Sequence, residues 1–271
     1  MIRSAFATPW AFFVRDFRLA VSYKAGFVIE VVGALVNVAL FFYMSEFFGT
    51  ALRTELAQYG GDYFSFVIIG IAFTSYLGVG LSGVSGKIRD GQLMGTLELM
   101  LISPTRLPVT LLSSALWSHA MATFGVATYV VAALILGVRF DAAGLPIAIV
   151  TIAIAIVGFN AIGLIAAAVV IVLKQGNPVD WLVRTGSVLL GGVFYPASVL
   201  PDALQAIAQL LPITHALEIV RRSLLLGEQL PALGGQLLVL VALTAIYLPL
   251  GILACHLAVR IAQRDGSLTT Y

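Results

Sequence analysis

Six long apolar runs, at roughly 25–47, 63–86, 108–137, 145–173, 181–199 and 233–259, dominate the chain, and nearly all its charge sits in the short gaps between them. An α-helix rises 1.5 Å per residue, so about 20 apolar residues cross the hydrocarbon core of a bilayer. Each run meets or approaches that length, and the third and fourth are long enough to tilt. The fifth is short and is broken by Gly191-Gly192 and Pro196. The runs are continuous rather than alternating, which predicts helices and not the period-two strands of a membrane barrel. The expected fold is therefore all-α and polytopic, with six transmembrane helices in one domain over residues 1–271.

Residues 1–24 follow a different pattern. Ile2, Phe6, Trp10, Phe13 and Phe17 recur at steps of four and three, so they share one helical face, with Arg3, Arg15, Arg18 and Lys24 among them. This predicts an amphipathic helix lying on an anionic membrane surface; the plainer alternative is a loosely ordered tail. No apolar core separates the basic residues, so the start does not read as a secretory signal.

Composition sharpens the membrane reading. Charged residues make up 10% and hydrophobic ones 60%, against about 25% charged in an ordinary soluble domain. A net charge of +2 gives no reason to expect nucleic acid. The lone Cys255 excludes an internal disulfide and a cysteine-rich metal site. Placing both termini in the cytoplasm puts Arg3, Arg15, Arg18, Lys24, Lys87, Arg89, Arg106, Lys174, Arg184, Arg260 and Arg264 inside. Arg53, Arg139, Arg221 and Arg222 then lie outside, which is eleven against four and fits the positive-inside bias.

Two polar stretches stand out. In 87–106, Leu93, Leu97, Met100 and Leu101 fall at helical spacing until Pro104, which predicts a short cytoplasmic helix continuous with two spans. It reads equally as a rigid handle for a cytosolic partner or as a connector flat on the bilayer. In 191–230, Pro196, Pro201 and Pro212 cut the chain into pieces too short to cross. Asp202 and Thr214 are N-cap types for two short helices. These pieces fit helices that re-enter the outer leaflet, with Glu218 spaced to pair with Arg221 and Arg222. A seal and a gate are equally consistent with such a cap.

Within the spans, Gly78, Ser82 and Gly86 form a small-residue stripe expected to pack another helix. His119 and Asn160 are expected to bond between helices. Glu30 sits about two turns from the inner end of its span and reads as an interfacial or paired carboxylate. Phosphate-loop, zinc-protease and hydrolase motifs are absent, and no soluble segment is large enough for a nucleotide pocket. The chain does not read as an enzyme, and no cofactor or metal is expected in it.

Gly95-Thr96-Leu97-Glu98 with Leu99-Met100-Leu101-Ile102-Ser103-Pro104 resembles the motif after the second span of type-2 ABC transporter permeases. Gly192-Val193-Phe194-Tyr195-Pro196, Leu200-Pro201, Leu211-Pro212-Ile213-Thr214-His215 and Arg221 resemble that family's segment before its last span. The small permeases of drug, nodulation-factor and polysaccharide export are the nearest likeness.

The resemblance implies a permease subunit of a bacterial inner-membrane exporter, with both ends cytoplasmic, working as a homodimer amid membrane lipid. A separate cytosolic ATPase would bind ATP and Mg. Segment 87–106 would be the coupling helix, with Gly95, Thr96, Leu97, Glu98, Met100 and Leu101 meeting that partner. Segment 196–230 would be the outer gate, shaped by Pro196, Pro201, Pro212, His215, Glu218 and Arg221. Residues 89–94 depart from the acidic or basic pair that many members carry there. The cargo would be hydrophobic or amphipathic: a drug, a lipid or a lipid-linked glycan. Two other classes fit less of the sequence. An ion-driven secondary transporter would want an inverted repeat and ionisable residues at the midplane, and a membrane scaffold would have little need for the broken outer segment.

Overall fold

The computed structural model describes residues 2–22, 24–48, 54–95, 107–173 and 178–264, and within them every regular element is helical. We number the helices α1 (Ile2–Ser22), α2 (Lys24–Phe48), α3 (Tyr63–Leu93), α4 (Leu107–Ser114) and α5 (Leu116–Ile135). They continue as α6 (Leu145–Leu173), α7 (Pro178–Leu190), α8 (Asp202–Ala208), α9 (Pro212–Leu226) and α10 (Leu230–Arg264). Five stretches are long and apolar enough to cross a membrane, and up to six if the bent pair α8–α9 is taken as one.

The fifth apolar run departs from the expected 181–199. Helix α7 has 13 residues, about 20 Å of rise against a hydrocarbon core of about 30 Å. It stops at Leu190 because Gly191-Gly192 follows, and Gly192 turns the chain at φ 82°. The remaining apolar residues continue without a helix as far as Pro196.

α3 and α6 form the buried centre, while α2 and α10 present most of their apolar surface outward. That division follows from small residues. A Cβ on Gly163 of α6 would lie 2.0 Å from the Gly80 carbonyl oxygen of α3. On the other side of α6, a Cβ on Gly251 of α10 would lie 2.5 Å from the Ala161 oxygen. Backbones this close admit only glycine. The expected stripe is thus displaced: Gly80, not Gly78, Ser82 and Gly86, carries the closest approach. Ser82 instead bonds the Asp180 carboxylate at 2.8 Å, Arg184 of α7 lies over Gly78, and a Cβ on Gly86 would meet nothing within 4 Å.

The helix expected over residues 1–24 forms as α1. Phe13 and Phe17 pack edge-on against Trp117 of α5 at 5.6 and 5.4 Å between ring centroids, while Trp10 stacks on Phe13 and stays largely exposed. Phe13 and Phe17 therefore dock α1 against the bundle, and Trp10 stays outside that contact. Gly60-Gly61 turns the chain into α3. Both glycines take positive φ, and the Asp62 side chain then caps α3 by accepting from the Ser65 amide at 2.8 Å.

Candidate functional site

The break after α7 creates a chemical problem that one side chain answers. Outside a helix the carbonyls of Gly192 and Val193 lack ladder partners, and in an apolar setting an unpaired carbonyl is costly. Arg221 of α9 enters from the side and is buried. It donates to the Gly192 oxygen at 2.6 Å, the Val193 oxygen at 3.0 Å and the Phe66 oxygen at 3.1 Å. Its guanidinium also lies 3.4 Å from the centroid of the Phe66 ring. A planar fork of N–H donors suits three divergent carbonyls better than an ammonium would. The approach needs Gly70, where a Cβ would lie 2.3 Å from the Val193 oxygen and 2.7 Å from Arg221 Nη2.

The neighbouring residues of α9 point elsewhere. Glu218 accepts from the Tyr59 hydroxyl and lies 3.7 Å from Arg222. Arg222 reaches Glu228 at 2.6 Å. The expected pairing of Glu218 with both arginines thus holds for Arg222 only, because Arg221 is turned into the bundle. Burial, reinforced by the bond to Glu218, holds the Tyr59 phenol well above its ordinary pKa. Tyr59 therefore stays a proton donor to the carboxylate through neutral pH.

α8 and α9 meet at an 87° bend. Pro212 opens α9 from its first turn, where its missing N–H costs nothing. The N-cap position is Leu211, not Thr214; the Thr214 hydroxyl donates instead to the Ala208 oxygen at 2.7 Å, across the bend. Asp202 likewise begins α8 rather than capping it, with Pro201 at the cap. His215 ties this elbow to α10. Its Nε2 lies 2.8 Å from the Gln209 carbonyl and its Nδ1 lies 2.7 Å from the Gln236 side chain. Pro196 is buried and starts a 3-10 turn at Ala197–Val199, whereas Pro201 is exposed. These residues and turns enclose a polar cavity of about 170 Å³, lined among others by Tyr59, Gln205, Gln209, His215, Glu218 and Arg221.

Of the six residues expected here, His215, Glu218 and Arg221 line this cavity; Pro196 and Pro212 stand next to the turns that bound it, and Pro201 lies exposed before α8. Sequence reading missed Gly70, Phe66, Tyr59, Gln209 and Gln236. The glycine inside an otherwise apolar span was the signal available for Gly70. For the other proposed locus, Gly95 ends α3 with φ 64°; Thr96, Leu97, Glu98, Met100 and Leu101 lie outside the described residues. His119 and Asn160 do bond across helices. The Asn160 amide donates to His119 Nε2 at 3.2 Å, while Nδ1 faces the Ala115 oxygen at 2.8 Å.

A family model described as ABC-2 type transporter matches residues 3–225, most of the chain. The chain belongs to that family. It is therefore a membrane permease subunit of a transporter and not itself a catalyst, and ABC-2 permeases work with an ATPase partner. The match runs through the Arg221 locus and ends within α9. No curated protein matches the sequence. In this ABC-2 permease no cluster of three or more His, Cys, Asp or Glu that could hold a metal ion occurs among the described residues.

Proposed function

We propose that this ABC-2 permease is the membrane half of an ATP-driven exporter in a bacterial cytoplasmic membrane, with both termini inside. Two copies form the path, and each is driven by a cytosolic ATPase that binds ATP and Mg. The family match over residues 3–225 carries this reading. Two features of the fold support it. The outward faces of α2 and α7, with Val28, Ile29, Val36, Trp181 and Leu182 exposed, offer apolar surface for a second copy and for lipid. The bent α8–α9 pair, tied to α3 and to the chain after α7 through Arg221, supplies a compact plug at one end of the bundle.

The proposed mechanism is a change of relative stability. ATP-driven closure of the ATPase pair pushes on residues 95–102, and α3 is covalently continuous with that segment. α3 also carries Phe66 and Gly70, the floor of the Arg221 locus. A shift of α3 thus reaches both ends, and nucleotide biases the bundle between closed and open packings. The cargo is a hydrophobic or amphipathic molecule.

The test is a reconstituted complex of permease and ATPase in proteoliposomes. We expect ATP hydrolysis by the complex to exceed that of the free ATPase and to respond to cargo. Glu98→Arg should abolish that response while the permease stays folded and inserted. Transport that runs on a proton gradient without nucleotide would overturn the reading in favour of a secondary transporter. ATP turnover indifferent to every cargo would favour a scaffold.

A further inference from the structure

Glu30 is the carboxylate of α2 that the fold sets, half-buried, against a neighbouring helix. Phe42, twelve residues further along the same helix, packs at 5.4 Å on Phe64 at the first turn of α3. Twelve residues are about 18 Å of helix, so Glu30 lies that far along α2 from the Phe42–Phe64 contact, within the apolar span Ala25–Phe47. The Glu30 side chain rests in the notch left by Gly125 of α5, where a Cβ would lie 2.5 Å from its Oε1. It has no ion-pair partner among the described side chains. A carboxylate inside an apolar span is expensive and calls for a role.

Its surroundings indicate one. Tyr129, one turn above Gly125 on α5, lies within electrostatic range of Glu30. Tyr129 also forms a wall of an apolar cavity of about 390 Å³, with Phe73 and Tyr76 of α3. The cavity is open on its lipid side, where its rim residues Val130 and Ile149 are 37% and 64% exposed. Phe27, one turn before Glu30, meets Phe124 edge-on at 5.9 Å. Glu30 is not itself part of the chamber lining, but it rests at Gly125, one turn along α5 from the wall residue Tyr129; a negative group so close to aromatic rings and an apolar chamber is complementary to one chemistry.

We propose that Glu30, Tyr129 and the Phe73–Tyr76 chamber form a binding site for a lipophilic organic cation that enters from the membrane. The positive centre sits at Glu30 and the apolar body fills the chamber. The site deepens the export reading, on which it rests for its purpose, by naming the cargo class. Neutral glycans and anionic lipids would be poor ligands for it.

The experiment uses the full chain, purified into nanodiscs without any ATPase, so its outcome is separable from the test of ATP coupling. Saturable binding is measured for tetraphenylphosphonium and for tetraphenylborate, two ions of nearly the same shape and opposite charge. We expect the cation to bind and the anion to bind much more weakly. Glu30→Gln should weaken cation binding by about tenfold or more and narrow the difference between the ions, as loss of a charge contact in a poorly solvated site requires. Gly125→Ala, which displaces the carboxylate, should weaken it as well. A second readout needs no variant: tetraphenylphosphonium, and not tetraphenylborate, should protect Glu30 from carbodiimide modification detected by mass spectrometry. Equal affinity for the two ions, no saturable cation binding, undiminished binding by a folded Glu30→Gln, or no protection of a labelled Glu30 would each overturn the proposal.

Discussion

Arg221 and Gly192 are joined at 2.6 Å by a hydrogen bond from a buried guanidinium to a carbonyl that no helix satisfies. The bond spans a break in the bundle, and it lets an apolar chain leave α7 without exposing its backbone to lipid. The same guanidinium serves Val193 and Phe66, so one side chain holds α9, α3 and the segment after α7 in register.

Arg221→Met keeps the length and removes the donors. Three carbonyls then lose a charged partner, and each such bond contributes about 1.5–3 kcal/mol. We expect a loss of at least about 3 kcal/mol, read as a large fall in thermal midpoint in detergent. Arg221→Lys should recover part of it, because an ammonium reaches fewer of the three oxygens.

Gly70 and Gly86 lie on the same helix and should answer alanine in opposite directions. At Gly70 the added methyl collides with the Val193 backbone oxygen and with Arg221, so Gly70→Ala should destabilise by several kcal/mol, as overpacking does in a tight core. At Gly86 nothing lies within 4 Å, and Gly86→Ala should be stabilising by about 0.5–1 kcal/mol through the helix preference alone. Melting curves of the two variants provide the comparison.

The Tyr59–Glu218 tie predicts an alkaline dependence. The Tyr59 pKa is raised in the folded protein, mainly by burial. Its contribution to stability is thus complete below the unfolded value of about 10 and falls as pH climbs beyond it. The wild type should lose stability above about pH 10 more steeply than Tyr59→Phe, while the two curves run parallel at neutral pH. Chemical denaturation across that range distinguishes them.

His215→Leu should loosen the elbow without unfolding the bundle. It removes both the Gln209 and the Gln236 contacts. Backbone amides of α8 should then exchange hydrogen faster, by about tenfold or more, while those of the buried α3 are unchanged. Exchange followed by mass spectrometry reads the two regions separately.

Much of this permease was legible along the chain. The apolar runs placed five long helices correctly, because helix formation and lipid solvation both act over a few turns of local sequence. Pro196, Pro201 and Pro212 marked the broken outer segment for the same reason: a missing N–H acts at its own position. The motif between Gly192 and Arg221 named residues that the fold does join, although nothing local told that Arg221 would face inward while Arg222, its neighbour, faces Glu218 and Glu228.

What sequence alone determined, then, is a chain of membrane helices with an amphipathic helix at one end and a cut-up segment before the last span. Only the folded molecule decided who meets whom. Phe66 and Arg221 are separated by 155 positions, and Glu30 finds Gly125 on a different helix. Periodicity records which face of a helix is apolar, but not the depth or rotation at which neighbouring helices stop. Those are fixed by where glycines let backbones touch, and that is a property of two helices together.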